Sequence, residues 1–196
     1  MVRLFDILFS SIVILLFLPF GVCLALAIVC TDPGSVFYRQ TRIGLNAKPF
    51  RLYKFRSMKM KQDVNASLIT VGMRDPRITR VGYFIRKFKL DEFPQFLNVL
   101  IGDMSVVGPR PEVERYVKFY SSEQLRVLTV RPGITDRASL EYFDENRILG
   151  LSNDPEKTYI EEIMPAKLKI NLKYIEKISL MENMKIILAT LKKVIA

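Results

Sequence analysis

The sequence predicts an α+β chain. A re-entrant or membrane-spanning N-terminal helix precedes a small, mostly helical domain with a short β-hairpin and amphipathic interfacial helices. Three observations predict it. Residues Ile7 to Thr31, ILFSSIVILLFLPFGVCLALAIVCT, run for 25 residues without a charge. Between Val36 and Arg56, apolar and aromatic residues alternate with basic ones on either side of a turn at Gly44-Leu45-Asn46. From Met164 onward, apolar residues recur at helical spacing among lysines.

The uncharged run exceeds the about 20 apolar residues a membrane helix needs. It is too long for the apolar core of a signal peptide, and no small-x-small cleavage site follows. A retained membrane element over residues 1–32 is therefore expected, with the main domain over 33–196. Pro19 removes a backbone donor and crowds the preceding turn, which predicts a kink near Leu18-Pro19-Phe20-Gly21. The helix either crosses the bilayer or bends back so that both ends emerge on one face. In the second case each half, of about 12 residues, spans roughly 18 Å, part of a ~30 Å hydrocarbon core. Arg3 before the run, with Arg39, Arg42 and Lys48 after it, puts positive charge on both flanks and mildly favours the same-side geometry. Cys23 and Cys30, seven apart on one helix face, cannot pair within it and read as small apolar fillers.

Thr31-Asp32-Pro33-Gly34 is a turn signal. Short strands follow at Val36–Tyr38 and Phe50–Arg56; the second presents Arg51 and either Lys54 or Arg56 on its basic face. Helices are expected over Ser57–Ile69, Arg77–Phe88 and Pro94–Ile101, the last closed by Gly102. Gly102 to Glu112, GDMSVVGPRPE, reads as a turn, a short apolar strand and a rigid segment in which Pro109 and Pro111 fix the direction of Arg110. A fixed guanidinium suits phosphate; the alternative is an exposed loop. Val130 to Phe143 reads as a turn with Arg131, Asp136 and Arg137 exposed. In the tail, Leu168, Leu172, Ile175, Met184, Ile187 and Leu191 form an apolar stripe for a membrane surface or for the domain.

The net charge is +10, and eight Lys/Arg but no acid lie between Pro33 and Gln62. Such a cluster beside a membrane segment points to anionic headgroups, a cytoplasmic location or a phosphate-bearing substrate; the alternative is a plain topology signal. The chain has no histidine, which excludes Ser-His-Asp and Cys-His catalysis and HExxH zinc chemistry. It also lacks GxxxxGK and GxGxxG loops. Any chemistry rests on carboxylates, Lys, Arg, Tyr, Ser or a bound metal. Asp91 and Glu92 follow a basic run and precede Pro94. Because proline belongs in a first helical turn, the two acids sit at or before a helix start, either capping it or forming a reactive centre.

YRQTRIG, KPFRLYKFRSM, DPRITRVGYFIRKFKLDEFPQFLNVLIGDMSVVGPRPE and RPGIT, in this order behind one hydrophobic segment, closely resemble the bacterial sugar transferases, or monotopic phosphoglycosyl transferases. The resemblance implies a membrane enzyme that moves a sugar-1-phosphate from a UDP-sugar to polyprenyl (undecaprenyl) phosphate and releases UMP. It implies attack by Asp91 on the β-phosphorus, a covalent phosphosugar-aspartyl intermediate, and Mg²⁺ held near Asp91 and Glu92. It places the enzyme in the bacterial inner membrane, catalytic domain on the cytoplasmic face, at the first membrane step of a surface glycan pathway. The family's hydrophobic segment is re-entrant and bent at a proline, here Pro19, with Leu18 where serine is often found. Arg110, Lys54, Arg56, Arg77, Arg80, Arg131 and Arg137 are the candidate phosphate contacts. After RPGIT the family commonly has Gly and later Gln-Val; this chain has Asp136 and Ser139-Leu140.

Two other readings compete: a non-enzymatic basic module that binds membrane lipids or a partner, and a sugar transferase that releases UDP. Phe50, Tyr53 and Phe55 are explained by strand packing as well as by base stacking, so no nucleic-acid partner is expected. The sequence sets neither the donor sugar nor the oligomeric state.

Overall fold

The structure, a computed structural model, describes residues 1–59 and 75–195. Helix α1 covers Val2–Thr31 and includes Pro19, the position at which the sequence predicts a kink. The turn around Pro19 is held from outside: Phe17 stacks on Phe93 with ring centroids 3.4 Å apart and meets Phe20 edge-on at 5.0 Å. Packing of this kind can retain a helix that has lost one internal hydrogen bond.

Strands β1 (Phe37–Ile43) and β2 (Pro49–Phe55) form the expected hairpin, with Tyr38 opposite Lys54 and Arg39 opposite Tyr53. The helix expected over Ser57–Ile69 falls mostly outside the described residues; its first residues are not helical, and Met58 bridges Ile78. Helix α2 (Arg80–Lys87) is capped by the Thr79 hydroxyl, which accepts the Gly82 N–H at 2.8 Å. A 3-10 turn, Leu90–Glu92, leads to α3 (Gln95–Ile101), with Pro94 at its N-cap. Gly102 closes α3 at φ 99°, a left-handed conformation that suits glycine.

Strands β3 (Ser105–Val107) and β4 (Gly133–Thr135) pair in parallel; the short helix α4 (Glu114–Val117) and a 3-10 segment lie between them. Then come α5 (Arg137–Glu141), α6 (Glu145–Leu151), α7 (Pro155–Thr158), a π-helical turn at Tyr159–Ile163, α8 (Met164–Ile175) and α9 (Leu180–Ile195). The expected tail stripe divides between two environments. Leu168 and Ile187 are buried, whereas Met184 and Leu191 stay exposed beside Met181 and Leu188.

Leu52, Val99, Met104, Val106, Val107, Tyr174 and Ile186 make the central core. Helix α1 lies along the rest of the chain and touches it at both ends. Near its start, Arg3 donates to the Leu100 and Met104 carbonyls, and buried Asp6 accepts from Ser105 Oγ at 2.7 Å and Val106 N at 3.2 Å. Just past its end, Arg56 pairs with Asp32 at 3.4 Å. Both ends of α1 thus rest against the same body. Between the ends, one side of α1 is bare: Leu15 is 71% and Leu16 75% exposed. The helix is long and apolar enough to cross a membrane.

Candidate active site

The site is built where the hairpin meets the 3-10 turn. On β2, Phe50, Leu52 and Lys54 share one face, because successive side chains alternate. Phe50 and Leu52 enter the core, so Lys54 also points inward. Asn98 fixes the register of strand and helix. Its Oδ1 accepts from Tyr53 N at 3.0 Å, and its Nδ2 donates to the Arg51 carbonyl at 2.8 Å. Lys89, in left-handed conformation at φ 56°, ends α2 and swings the chain into the turn that carries the acids.

Lys54 Nζ stands 3.0 Å from Glu92 Oε1 and 3.8 Å from Asp91 Oδ2. Arg110 clamps the other side of Glu92, with Nη1 3.2 Å from Oε2 and Nη2 on Oε1. The two adjacent acids therefore have opposite electrostatics. Burial pushes the Asp91 carboxyl above its ordinary range, and the Glu92 charge adds to this against the pull of Lys54. Burial also opposes the charged form of Glu92, but Arg110 and Lys54 more than offset it and hold that carboxyl well below its usual value. A carboxylate at a helix start is ordinarily held ionised by the helix dipole. Four residues ahead of α3 and buried in its own short turn, Asp91 instead feels desolvation more than the helix dipole.

Of the sequence candidates, the structure brings together Asp91, Glu92, Lys54 and Arg110. Arg56 is buried against Asp32 at the end of α1. Arg77 pairs with Asp75 at 2.5 Å, and Arg80 is exposed at the start of α2. Arg131 donates Nε to the Gly102 carbonyl at 2.9 Å, and Arg137 pairs with Glu182 of α9 at 2.6 Å. Asp136, expected to be exposed, is fully buried: it caps α5 and also accepts hydrogen bonds from Arg110 N and Asn171.

Sequence reasoning missed Asn98, Lys89 and the burial of Asp136. Asn98 had a signal, being a lone polar residue in FLNVLI two helical turns after Asp91. Asp136 three residues before Ser139 carried the mark of an N-cap. Lys89 had none: its left-handed backbone and its position 5.4 Å over the Phe143 ring depend on the fold.

Two adjacent carboxylates facing an ammonium and a bidentate guanidinium can accommodate a diphosphate while one acid remains open to react. Among the described residues, no group of three or more His, Cys, Asp or Glu is placed to hold a metal. A family model described as Bacterial sugar transferase matches residues 1–196. The chain is 39% identical over 193 residues to a UDP-glucose:undecaprenyl-phosphate glucose-1-phosphate transferase of Escherichia coli, covering 96% of this chain and 39% of that protein. A Caulobacter vibrioides protein of the same description is 36% identical over 191 residues, covering 96% of this chain and 67% of the relative. An Aeromonas hydrophila UDP-N-acetylgalactosamine-undecaprenyl-phosphate N-acetylgalactosaminephosphotransferase is 36% identical over 197 residues, covering 97% and 42%. The chain thus spans about two-fifths of the Escherichia coli and Aeromonas relatives.

Proposed function

The chain belongs to the bacterial sugar transferase family, and from that premise we propose that it transfers a sugar-1-phosphate from a UDP-sugar to undecaprenyl phosphate. The relatives' names supply the substrate classes. The observation that carries the chemistry is the unequal acid pair: Glu92 is held between Lys54 and Arg110, while among the described residues the ion pair of Asp91 is the 3.8 Å approach of Lys54.

An Asp91 oxygen attacks the β-phosphorus of the UDP-sugar. The bond from that phosphorus to the bridging oxygen breaks, and UMP leaves with the oxygen. A phosphate oxygen of the lipid then attacks the same phosphorus, releases Asp91 as carboxylate and leaves a polyprenyl diphosphate sugar. Attack by an anion on an anionic diphosphate is opposed by repulsion, which Lys54 and Arg110 counter. Burial of Asp91 leaves it weakly solvated, which favours nucleophilic attack once the proton is lost.

The donor set fits Mg²⁺, which commonly takes one or two carboxylates and completes its shell with water and substrate phosphates. Asp91 offers oxygens with no hydrogen bond among the described residues, and Glu92 would join as Lys54 and Arg110 engage phosphate. When bound, the ion would neutralise charge on the diphosphate. Residues 1–32 embed in the inner membrane from its cytoplasmic face, with the bare side of α1 in lipid. This places the enzyme where the lipid acceptor resides, at the first membrane step of a surface glycan pathway.

The test is nucleotide release by detergent-purified protein from a panel of UDP-sugars, with Mg²⁺ and polyprenyl phosphate. UMP that disappears in Asp91→Asn is expected. UDP, or UMP undiminished in Asp91→Asn, overturns the mechanism.

A further inference from the structure

We infer that Asp136 is a positioning residue that sets the direction of the Arg110 guanidinium, an inference that rests on the phosphoglycosyl-transfer reading. Asp136 is fully buried, and its carboxylate gathers N–H groups from three separate parts of the chain. Oδ2 accepts from the backbone of Arg110 at 2.9 Å and from Asn171 Nδ2 on α8 at 3.1 Å; Oδ1 accepts from Ser139 N in the first turn of α5.

The segment carrying Arg110 is pressed against the one carrying Asp136. Gly108 N donates to the Thr135 carbonyl and Gly133 N to the Pro109 carbonyl, each at 3.0 Å. A Cβ on Gly133 would fall 2.0 Å from Gly108 N, so this approach requires glycine. Pro109 and Pro111 restrict the backbone on both sides of Arg110, but neither fixes the rotation of the peptide that carries its N–H. The bond to Asp136 does so, together with the one from Gly133 N to the Pro109 carbonyl of the same peptide. From that peptide the side chain reaches Glu92, so the chain of contacts runs from Asn171 and Ser139 through Asp136 and Arg110 to the acid pair.

An asparagine cannot reproduce this arrangement. Its amide has one acceptor oxygen, and its nitrogen would face an N–H donor at one of the three positions. Displacing a phosphate-binding guanidinium by about 1 Å can lower turnover ~10²-fold. Asp136→Asn is therefore expected to lower kcat for UMP release about 10- to 100-fold with KM for the UDP-sugar little changed. In an Arg110→Ala background the same substitution is expected to change kcat less than about twofold, because there is no guanidinium left to misplace. Asp136→Ser, whose hydroxyl can still cap α5, serves if Asp136→Asn folds poorly. Amide hydrogen exchange at Arg110 should be slow in the native protein and fast in either variant.

Equal losses in the two backgrounds would make Asp136 merely structural and overturn the proposal. Unchanged Arg110 exchange would remove the bond itself. A native protein that releases no UMP from any donor would instead strike the transfer reading, and the catalytic role of Asp136 with it.

Discussion

Lys54 Nζ lies 3.0 Å from Glu92 Oε1 and 3.8 Å from Asp91 Oδ2, so a single ammonium serves two adjacent carboxylates. Arg110 already satisfies Glu92 from the other side, and among the described residues Lys54 is the cation paired with Asp91. Lys54→Met is expected to lower kcat/KM roughly 10²-fold, the loss typical of one charge-stabilising donor. It should also move the acid limb of the pH–rate profile. Lys54 pulls the Asp91 carboxyl down against burial, so its removal lets that carboxyl rise further, and the limb shifts to higher pH. An acid limb left in place would sink the assignment of Asp91 as the group that must lose its proton.

The same pair predicts opposite effects on stability. Asp91 has a raised pKa in the fold, so its contribution is fully present below the unfolded value of 3.8 and is lost as pH rises through the folded one. At neutral pH it is a burden, and Asp91→Asn should raise Tm by about 2–4 °C while abolishing transfer. Glu92 has a depressed pKa. Its contribution is present above the unfolded value of 4.5 and is lost as pH falls through the folded one. Glu92→Gln leaves Lys54 and Arg110 facing a neutral amide and should lower Tm by about 5 °C or more at pH 7. Thermal melts of both variants at neutral pH decide this; shifts of the same sign would refute it.

The start of α3 at Pro94, the hairpin and the closure of α3 at Gly102 were legible because each depends on local chemistry. Proline needs a first turn, glycine a left-handed end, and alternation a pleated strand. The assignment of basic residues was not legible in the same way. Lys54 and Arg56 are two residues apart, yet one enters the acid pair and the other binds Asp32, because β2 ends at Phe55. The burial of Asp136 depends on Gly108 and Gly133 meeting across 25 residues of chain, and no periodicity announces that. The stacking of Phe17 on Phe93 beside Pro19 likewise joins residues remote in sequence.

Arg56 supplies a control for the site. Buried at 5% exposure, it ties the end of β2 to Asp32 just beyond α1. Arg56→Ala leaves a carboxylate without that partner and opens space beside α1, with an expected destabilisation of about 3 kcal/mol. Its kcat, normalised to folded protein, should stay within about threefold of the native value, since Arg56 does not contact the acid pair. Lys54→Met should show the reverse pattern, with lost turnover and a smaller change in Tm. A kcat loss in Arg56→Ala as large as that of Lys54→Met would place Arg56 in the chemistry after all.

The start of α1 carries the prediction about the membrane. Asp6 is a buried acid near the start of a largely apolar helix, and its oxygens take up Ser105 Oγ and Val106 N, while Arg3 caps the Leu100 and Met104 carbonyls. Removing Asp6 leaves buried donors unpaired, at about 1–3 kcal/mol each. The contacts therefore hold the first turn of α1 on the same body as α9, whichever depth the middle of the helix reaches. Cysteines placed one at a time at Val2 and Lys192, in a Cys23→Ala, Cys30→Ala background, should both react with a membrane-impermeant maleimide from one side of sealed vesicles. Asp6→Ala combined with Arg3→Ala should weaken that arrangement and lower Tm. Labelling of the two positions from opposite sides would mean that the helix crosses the bilayer and that the Asp6–Ser105 contact does not form in the membrane.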